Sequence, residues 1–284
     1  MKLSIGTAQF GFKYGLCNKV GIVSLKEVQK IIKFCKSKKI YSIDTAQGYG
    51  RSHKVLGSIN LNKFQVTTKI SSIKKASTKD LESYISLEIN KILKDLNTNN
   101  LYGLLIHNTR QLEGKFGMEY YRILQKLKNE KKFIKLGVSV YTKKELDFIL
   151  KNYNVDLVNL PMSIANQEFY DVDYLSKIKK KKIQIHVRSI FLQGLLFSNY
   201  SDLPLKFKNN KFFLEWFKWL KIYDIDKLEA CLNFIKKVKY IDKIIIGIDS
   251  LDQLKMIEKV YKKNIKMKFK SFTQSLILRN PSKW

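Results

Sequence analysis

The chain has 284 residues, 45% of them hydrophobic, which is enough to bury a large core in one domain or two small ones. It has no apolar run near the roughly 18 residues of a membrane span. The opening MKLSIGTAQFGFKYG also lacks the apolar stretch of a secretory signal, so a soluble, cytoplasmic protein with no membrane partner is expected. The formal charge of +30 comes from 54 Lys and Arg against 24 Asp and Glu, almost all of the cations being lysine. Nucleic-acid modules cluster Arg and Lys with aromatics. Here the densest run, residues 179–182, falls at a predicted helix end, where cations suit the helix dipole. No nucleic-acid partner is therefore expected, although anionic small molecules would be drawn to such a surface. Cys17, Cys35 and Cys231 are far apart, without the spacing of a metal or disulfide site, and read as free thiols with no metal bound.

In chain order, short apolar runs predict strands at residues 3–6, 41–44, 64–69, 101–107, 134–139, 155–160, 183–188 and 243–247. Their nearly continuous β-branched character suits parallel strands buried on both faces. Helix starts fall between them. Ser24 with Glu27, Thr142 with Glu145 and Ser250 with Gln253 have the spacing of capping boxes. After Thr78, the positions Leu81, Ile85, Ile89, Ile92, Leu93 and Leu96 mark one apolar helix face. Eight strand–helix units at roughly 30-residue spacing predict an α/β fold, a single-domain (β/α)₈ TIM barrel. A doubly wound sheet would carry G-x-G-x-x-G after an early strand, and none occurs. The stretch 199–226, with Phe207, Phe212, Phe213, Trp216, Phe217 and Trp219, is longer than a connection needs. It reads as an extra amphipathic helix on the barrel, an aromatic substrate wall, or both.

Three predicted strands end in ionisable residues: the second in Asp44, the third in Lys69 and the fourth in His107. A barrel brings those ends to one rim, where active sites of this fold lie. Tyr49 follows Asp44 within reach of the same place. Individually, Asp44 could cap a helix, Lys69 could be a solvated strand end, and Tyr49 or His107 could be rim furniture. Together they make chemical sense. A phenol is a poor acid, with a pKa near 10, and a neighbouring ammonium favours its phenolate. Asp44 would keep Lys69 charged, Tyr49 could then protonate a carbonyl oxygen, and His107 could hydrogen-bond that oxygen.

The stretch D44-T-A-Q-G-Y-G-R-S-H-K-V-L-G57 resembles the aldo-keto reductase signature D-T-A-x-x-Y-G-x-S-E-x-x-L-G. The similarity continues through VTTK, LLIH, the GVS ending at Ser139, FLQGLL at 191–196 and IIGIDSLDQL at 245–254. It implies carbonyl reduction by NADPH or NADH, with NADP(H) slightly favoured, on a small-molecule carbonyl substrate. Asp44, Tyr49, Lys69 and His107 match its catalytic group. It further implies cofactor contacts at Gly6, Thr7, Asp44, Ser139, Asn159, Arg188, Ser189, Leu192, Gly194, Gly247, Ser250 and Gln253. His53 stands where the signature has Glu, and reads as a residue at the surface or behind the site. Val140 stands in place of a common Asn, Asn159 in place of Gln, and Arg188 in place of a stacking Tyr. Gln253 replaces an Arg frequent in NADPH-preferring members, with Lys255 nearby to compensate. RSIFLQGLL and the closing NPSKW resemble a bacterial subgroup tied to surface-polysaccharide and glycan biosynthesis, which suggests a sugar-derived or anionic substrate. The expected assembly is a monomer or weak homo-oligomer. Two other functions fit parts of the sequence: a non-enzymatic nicotinamide-binding regulatory or partner protein, which Val140 and Arg188 would allow, and a polyanion binder, which rests on charge alone.

Overall fold

The computed structural model describes residues 2–73, 80–263, 269, 272–280 and 284. Thr78 of the predicted helix start and residues 281–283 of the closing motif lie outside them. Eight parallel strands close into a barrel in sequence order: β1 (Lys2–Gly6), β2 (Ser42–Asp44), β3 (Gln65–Ile70), β4 (Leu101–Ile106), β5 (Phe133–Ser139), β6 (Leu157–Pro161), β7 (Gln184–Arg188) and β8 (Lys243–Gly247). Most strand positions are buried, as expected when helices cover the outside and side chains fill the inside. The sixth strand starts later than its apolar run suggests. There the Asp156 carboxylate accepts from the Leu136 amide and pairs with Lys128, so the chain enters the sheet only at Leu157.

The helices follow the apolar spacing. Leu25–Ser37 buries Val28, Ile31, Ile32 and Cys35 against the barrel, and Leu81–Asp95 buries Leu81, Ile85, Ile89, Ile92 and Leu93. Of the three expected capping boxes, only Thr142 with Glu145 closes reciprocally. Ser24 and Ser250 do cap their helices, accepting from the amides of Glu27 and Gln253. Their partners' side chains go elsewhere. The Glu27 carboxylate accepts from the Leu251 amide at 2.8 Å, and Gln253 Oε1 from the Asp249 amide at 2.8 Å. Glu27 thus bonds an amide 224 positions away, while Gln253 takes the amide just before its cap instead of the cap's own. Residues 179–182 do end a helix, Val172–Lys180, and Lys179 pairs with Asp242.

The aromatic stretch forms the helix Lys211–Tyr223, preceded by the turn Leu205–Lys208. Phe207, Phe212, Phe213 and Trp216 are fully buried, with Trp216 stacked on Phe212 and Trp219 and edged by Phe272. It is an extra packing layer, held by ring contacts that add to plain burial.

Inside the barrel, contacts join strands that are not neighbours, so they must pass through its interior. Lys243 Nζ on β8 donates to Gln65 Oε1 on β3 at 2.8 Å and lies 4.4 Å from the centre of the Tyr102 ring on β4. The Tyr102 hydroxyl reaches Gln184 on β7 at 2.8 Å. Ser42 donates to Ser4 at 2.9 Å. The Lys243–Gln65 and Tyr102–Gln184 contacts span the N-terminal end of the barrel, where Gln65 is exposed and Tyr102 and Gln184 are half-buried, while Ser4 and Ser42 join neighbouring strands.

Candidate active site

The register sets the site. Asp44 is the last residue of β2 and pairs with Thr67, while Lys69 lies two residues further along β3. Lys69 pairs with Leu105 on β4, and His107 follows that strand directly, its amide bonding the Ile70 carbonyl at 3.3 Å. All three functional groups thus reach the C-terminal rim. Thr7 pins the floor beneath them. Its amide and hydroxyl both donate to the Asp44 carbonyl, and the Ser52 hydroxyl donates to Thr7 at 2.8 Å.

At the centre is Lys69, 1% exposed. Its ammonium forms an ion pair with Asp44 Oδ1, donates to the Thr45 carbonyl at 3.0 Å and lies 3.4 Å from the Tyr49 hydroxyl. Burial, the largest single influence, pushes this lysine's pKa down, but the charge and hydrogen bond of Asp44, together with Tyr49, more than offset it, and the net shift is upward. Lys69 is a permanent cation at neutral pH. The other Asp44 oxygen accepts from Asn159 Nδ2 at 3.1 Å, a contact that crosses the barrel from β6. His107 faces Tyr49 edge-on, with ring centres 6.4 Å apart. Burial, then the charges of Lys69 and Arg188, push its pKa down to about 3, so the imidazole is neutral. Tyr49 also touches Phe12, which in turn packs on Tyr14.

The four side chains read from the sequence as one chemical group therefore meet. A match to the model of the Aldo/keto reductase family spans residues 2–274. The chain belongs to that family. Its members are NAD(P)H-dependent oxidoreductases acting on small-molecule carbonyls. No curated protein sequence matches the chain significantly. Among solved structures, the aldo-keto reductase AKR11C1 from Bacillus halodurans (holo form) is 17% identical, with 94% of this chain and 88% of that one covered and a TM-score of 0.72. Its apo form is 18% identical over 95% and 94%, with a TM-score of 0.68. The thermostable aldo-keto reductase Tm1743, in complex with the inhibitor epalrestat, is 17% identical over 93% and 90%, with a TM-score of 0.65. At these identities the structural likeness speaks for the shared barrel. No helix among the described residues is long and apolar enough to cross a membrane.

The other candidate positions of this aldo/keto reductase divide into four groups. Gly6 pairs with both Asp44 and Gly247 at the rim, and a Cβ on Gly6 would come within 3.1 Å of Ile245. Ser139 and Asn159 are adjacent across β5 and β6. The Ser139 hydroxyl has no hydrogen-bond partner among the described residues, and Asn159 Oδ1 is buried without one. The loop after β7 is strained: Ser189, Leu192 and Gln193 adopt left-handed φ of 62°, 47° and 55°, with Gly194 at 90°. Non-glycine residues held there cost energy and mark sites where backbone must be aimed. Leu192 is buried. Ser250 and Gln253 are engaged in their cap, with Glu27 on the next amide.

His53 is buried behind the site rather than on the surface, its Nε2 2.8 Å from the Thr68 hydroxyl. Burial holds its pKa down at about 4, so it is neutral there. Sequence reasoning did not single out Phe12, Tyr14 or Tyr141, aromatic residues that lie near Tyr49 and Arg188. Tyr141 lies under the Arg188 guanidinium, 4.3 Å from ring centre to carbon. Tyr14 is held protonated, its pKa pushed up to about 12 first by burial and then by Tyr49. The one hint was position: FGFKYG follows the first strand, and Tyr141 follows the fifth.

Proposed function

We propose that this chain reduces an aldehyde or ketone to an alcohol, with Tyr49 as proton donor and Lys69, Asp44 and His107 assisting. The observation that carries this reading is the Lys69 ammonium, gripped by Asp44 and 3.4 Å from the Tyr49 hydroxyl. Two features suit a nicotinamide: the unpartnered Asn159 Oδ1 and Ser139 hydroxyl lie side by side on the rim, ready for a carboxamide. Ser139 and Asn159 would hold that amide, and the strained backbone from Ser189 to Gly194 would meet the pyrophosphate, with Arg188 beside it. Gly6, Thr7 and Gly247 would line the floor, and the Ser250–Gln253 turn would meet the adenosine end. When bound, the reduced cofactor supplies the hydride. NADP(H) is slightly favoured over NAD(H), because Lys255 next to Gln253 offers a cation whose present partner, Asp252, is an exposed pair of little strength.

As hydride reaches the carbonyl carbon, negative charge grows on its oxygen. The Tyr49 hydroxyl gives its proton to that oxygen. The phenolate left behind faces the Lys69 ammonium, which stabilises it, and Asp44 keeps that ammonium charged despite full burial. Neutral His107 carries one ring N–H, the right species to donate a hydrogen bond to the same oxygen without competing for the proton. A sugar-derived substrate rests on the RSIFLQGLL resemblance, and an anionic one on the overall charge. Turnover of 4-nitrobenzaldehyde with NADPH or NADH, followed by absorbance loss at the nicotinamide band, tests the reading. Tyr49→Phe should lower kcat by about 10²–10⁴; a fully active Tyr49→Phe enzyme refutes the assigned acid.

A further inference from the structure

The rim carries a second fixed cation besides Lys69, and no anionic partner among the described residues neutralises it. Arg188 ends β7 and is half-buried. Its Nη2 donates to the Val140 carbonyl at 3.0 Å, Nη1 lies 3.4 Å from the Ser189 hydroxyl, and the guanidinium carbon sits 4.3 Å from the centre of the Tyr141 ring. These contacts set the plane of the fork, but every partner is neutral. No carboxylate lies within ion-pair distance of it among the described residues. Its field nevertheless reaches the catalytic group, because its charge helps to push down His107 and opposes the upward shift of Lys69. Phe12 packs against both Tyr14 and Tyr49 beside the catalytic group.

A guanidinium has five N–H donors, and two carboxylate oxygens match its fork. Neutral hydrogen bonds and a ring contact offset only part of the solvation that a half-buried cation loses, and an opposite charge would add to them. We infer that Arg188 is a specificity-determining residue that receives a carboxylate on the carbonyl substrate, so that oxo acids and acid-bearing aldehydes are preferred over neutral carbonyls. This rests on the proposed carbonyl reduction at Tyr49. A cofactor phosphate would satisfy the same fork, since both present an oxyanion, and the experiment separates the two sources.

The wild-type protein and the variants Arg188→Met and Arg188→Lys, each checked for folding by circular dichroism, are assayed with 4-carboxybenzaldehyde and benzaldehyde. The expected wild-type kcat/KM ratio favours the carboxylated aldehyde by on the order of 10- to 100-fold, the range of charge-assisted hydrogen bonds. Arg188→Met should bring the ratio near one, and Arg188→Lys, which keeps charge but loses the fork, should fall between. Raising the salt should shrink the wild-type ratio. Calorimetric binding of 4-carboxybenzyl alcohol and benzyl alcohol to the protein–cofactor complex gives the same comparison without turnover. If neither aldehyde reacts, the reductase reading fails, while a carboxylate preference in binding that Arg188→Met abolishes still supports this inference. Equal treatment of both probes by the wild type overturns it. So does a ratio unchanged in Arg188→Met when its dissociation constants for NADPH and NADH rise, which would assign the fork to the cofactor phosphates.

Discussion

Lys69 and Lys243 both project into the same barrel, and both are almost completely buried. Their titrations move in opposite directions. Lys69, with the Asp44 carboxylate against its ammonium, is pushed up. Lys243 has the Gln65 amide and the Tyr102 ring, neither of them charged, and burial pulls it down to about 8. Its fringe neighbour His186 is likewise held well below its ordinary value by burial and by the surrounding lysines. Burial penalises a charge everywhere in this interior, and only a directly paired opposite charge reverses the penalty. The rim is the region where the sequence supplies that pair, and so it is the region where a cation can be held beside a phenol.

Replacing each lysine by methionine gives the largest test of this contrast. Lys69→Met leaves Asp44 buried with only Asn159 on its second oxygen. It should cost about 3–5 kcal/mol of stability and abolish most carbonyl turnover. Lys243→Met removes a poorly compensated charge and should be neutral or stabilising at pH 7. Urea unfolding at pH 7 reads both, and a Lys69 variant as stable as its parent would break the contrast.

A smaller effect appears in the pH dependence of stability. Lys243 titrates near 8 when folded, against 10.5 for a free lysine. Between those values the unfolded chain binds more protons, so this group makes stability rise with pH across the window. Below pH 8 its full penalty is present, about 3 kcal/mol at most from a shift of this size. Unfolding curves at pH 7 and pH 10 should show the gain in the wild type and lose it in Lys243→Met; an identical gain in both would assign it to another group.

The smallest expected signal is a flat line. His107 is neutral above about pH 3, so kcat/KM should show no inflection near 6.5 that His107→Gln removes. An inflection lost in that variant would mean the imidazole is charged in part of the working range, and that the rim is less dry than Lys69 implies.

Much of this site was legible in the sequence because its parts are short-range. Each residue of the proposed catalytic group closes an apolar run or follows it by a few positions, and its place at or just after a strand end sends Asp44, Lys69 and His107 to one rim. The aromatic stretch was legible as a helix, but its burial under Phe272 was not. The capping boxes show where such reading stops. Ser24 and Ser250 cap as expected, whereas Glu27 bridges to Leu251 across the closure of the barrel.

The sequence by itself therefore determined the alternation of strands and helices, the closed parallel barrel they form, and the identities of the four central side chains, because local periodicity and strand ends encode them. Only the tertiary structure decided that Asn159 spends its amide on Asp44, 115 positions away, that Arg188 lies on Tyr141 with no carboxylate partner among the described residues, and that Lys243 is plugged against Gln65. Those pairings depend on which side chains meet across an interior that exists only once the eighth strand has met the first.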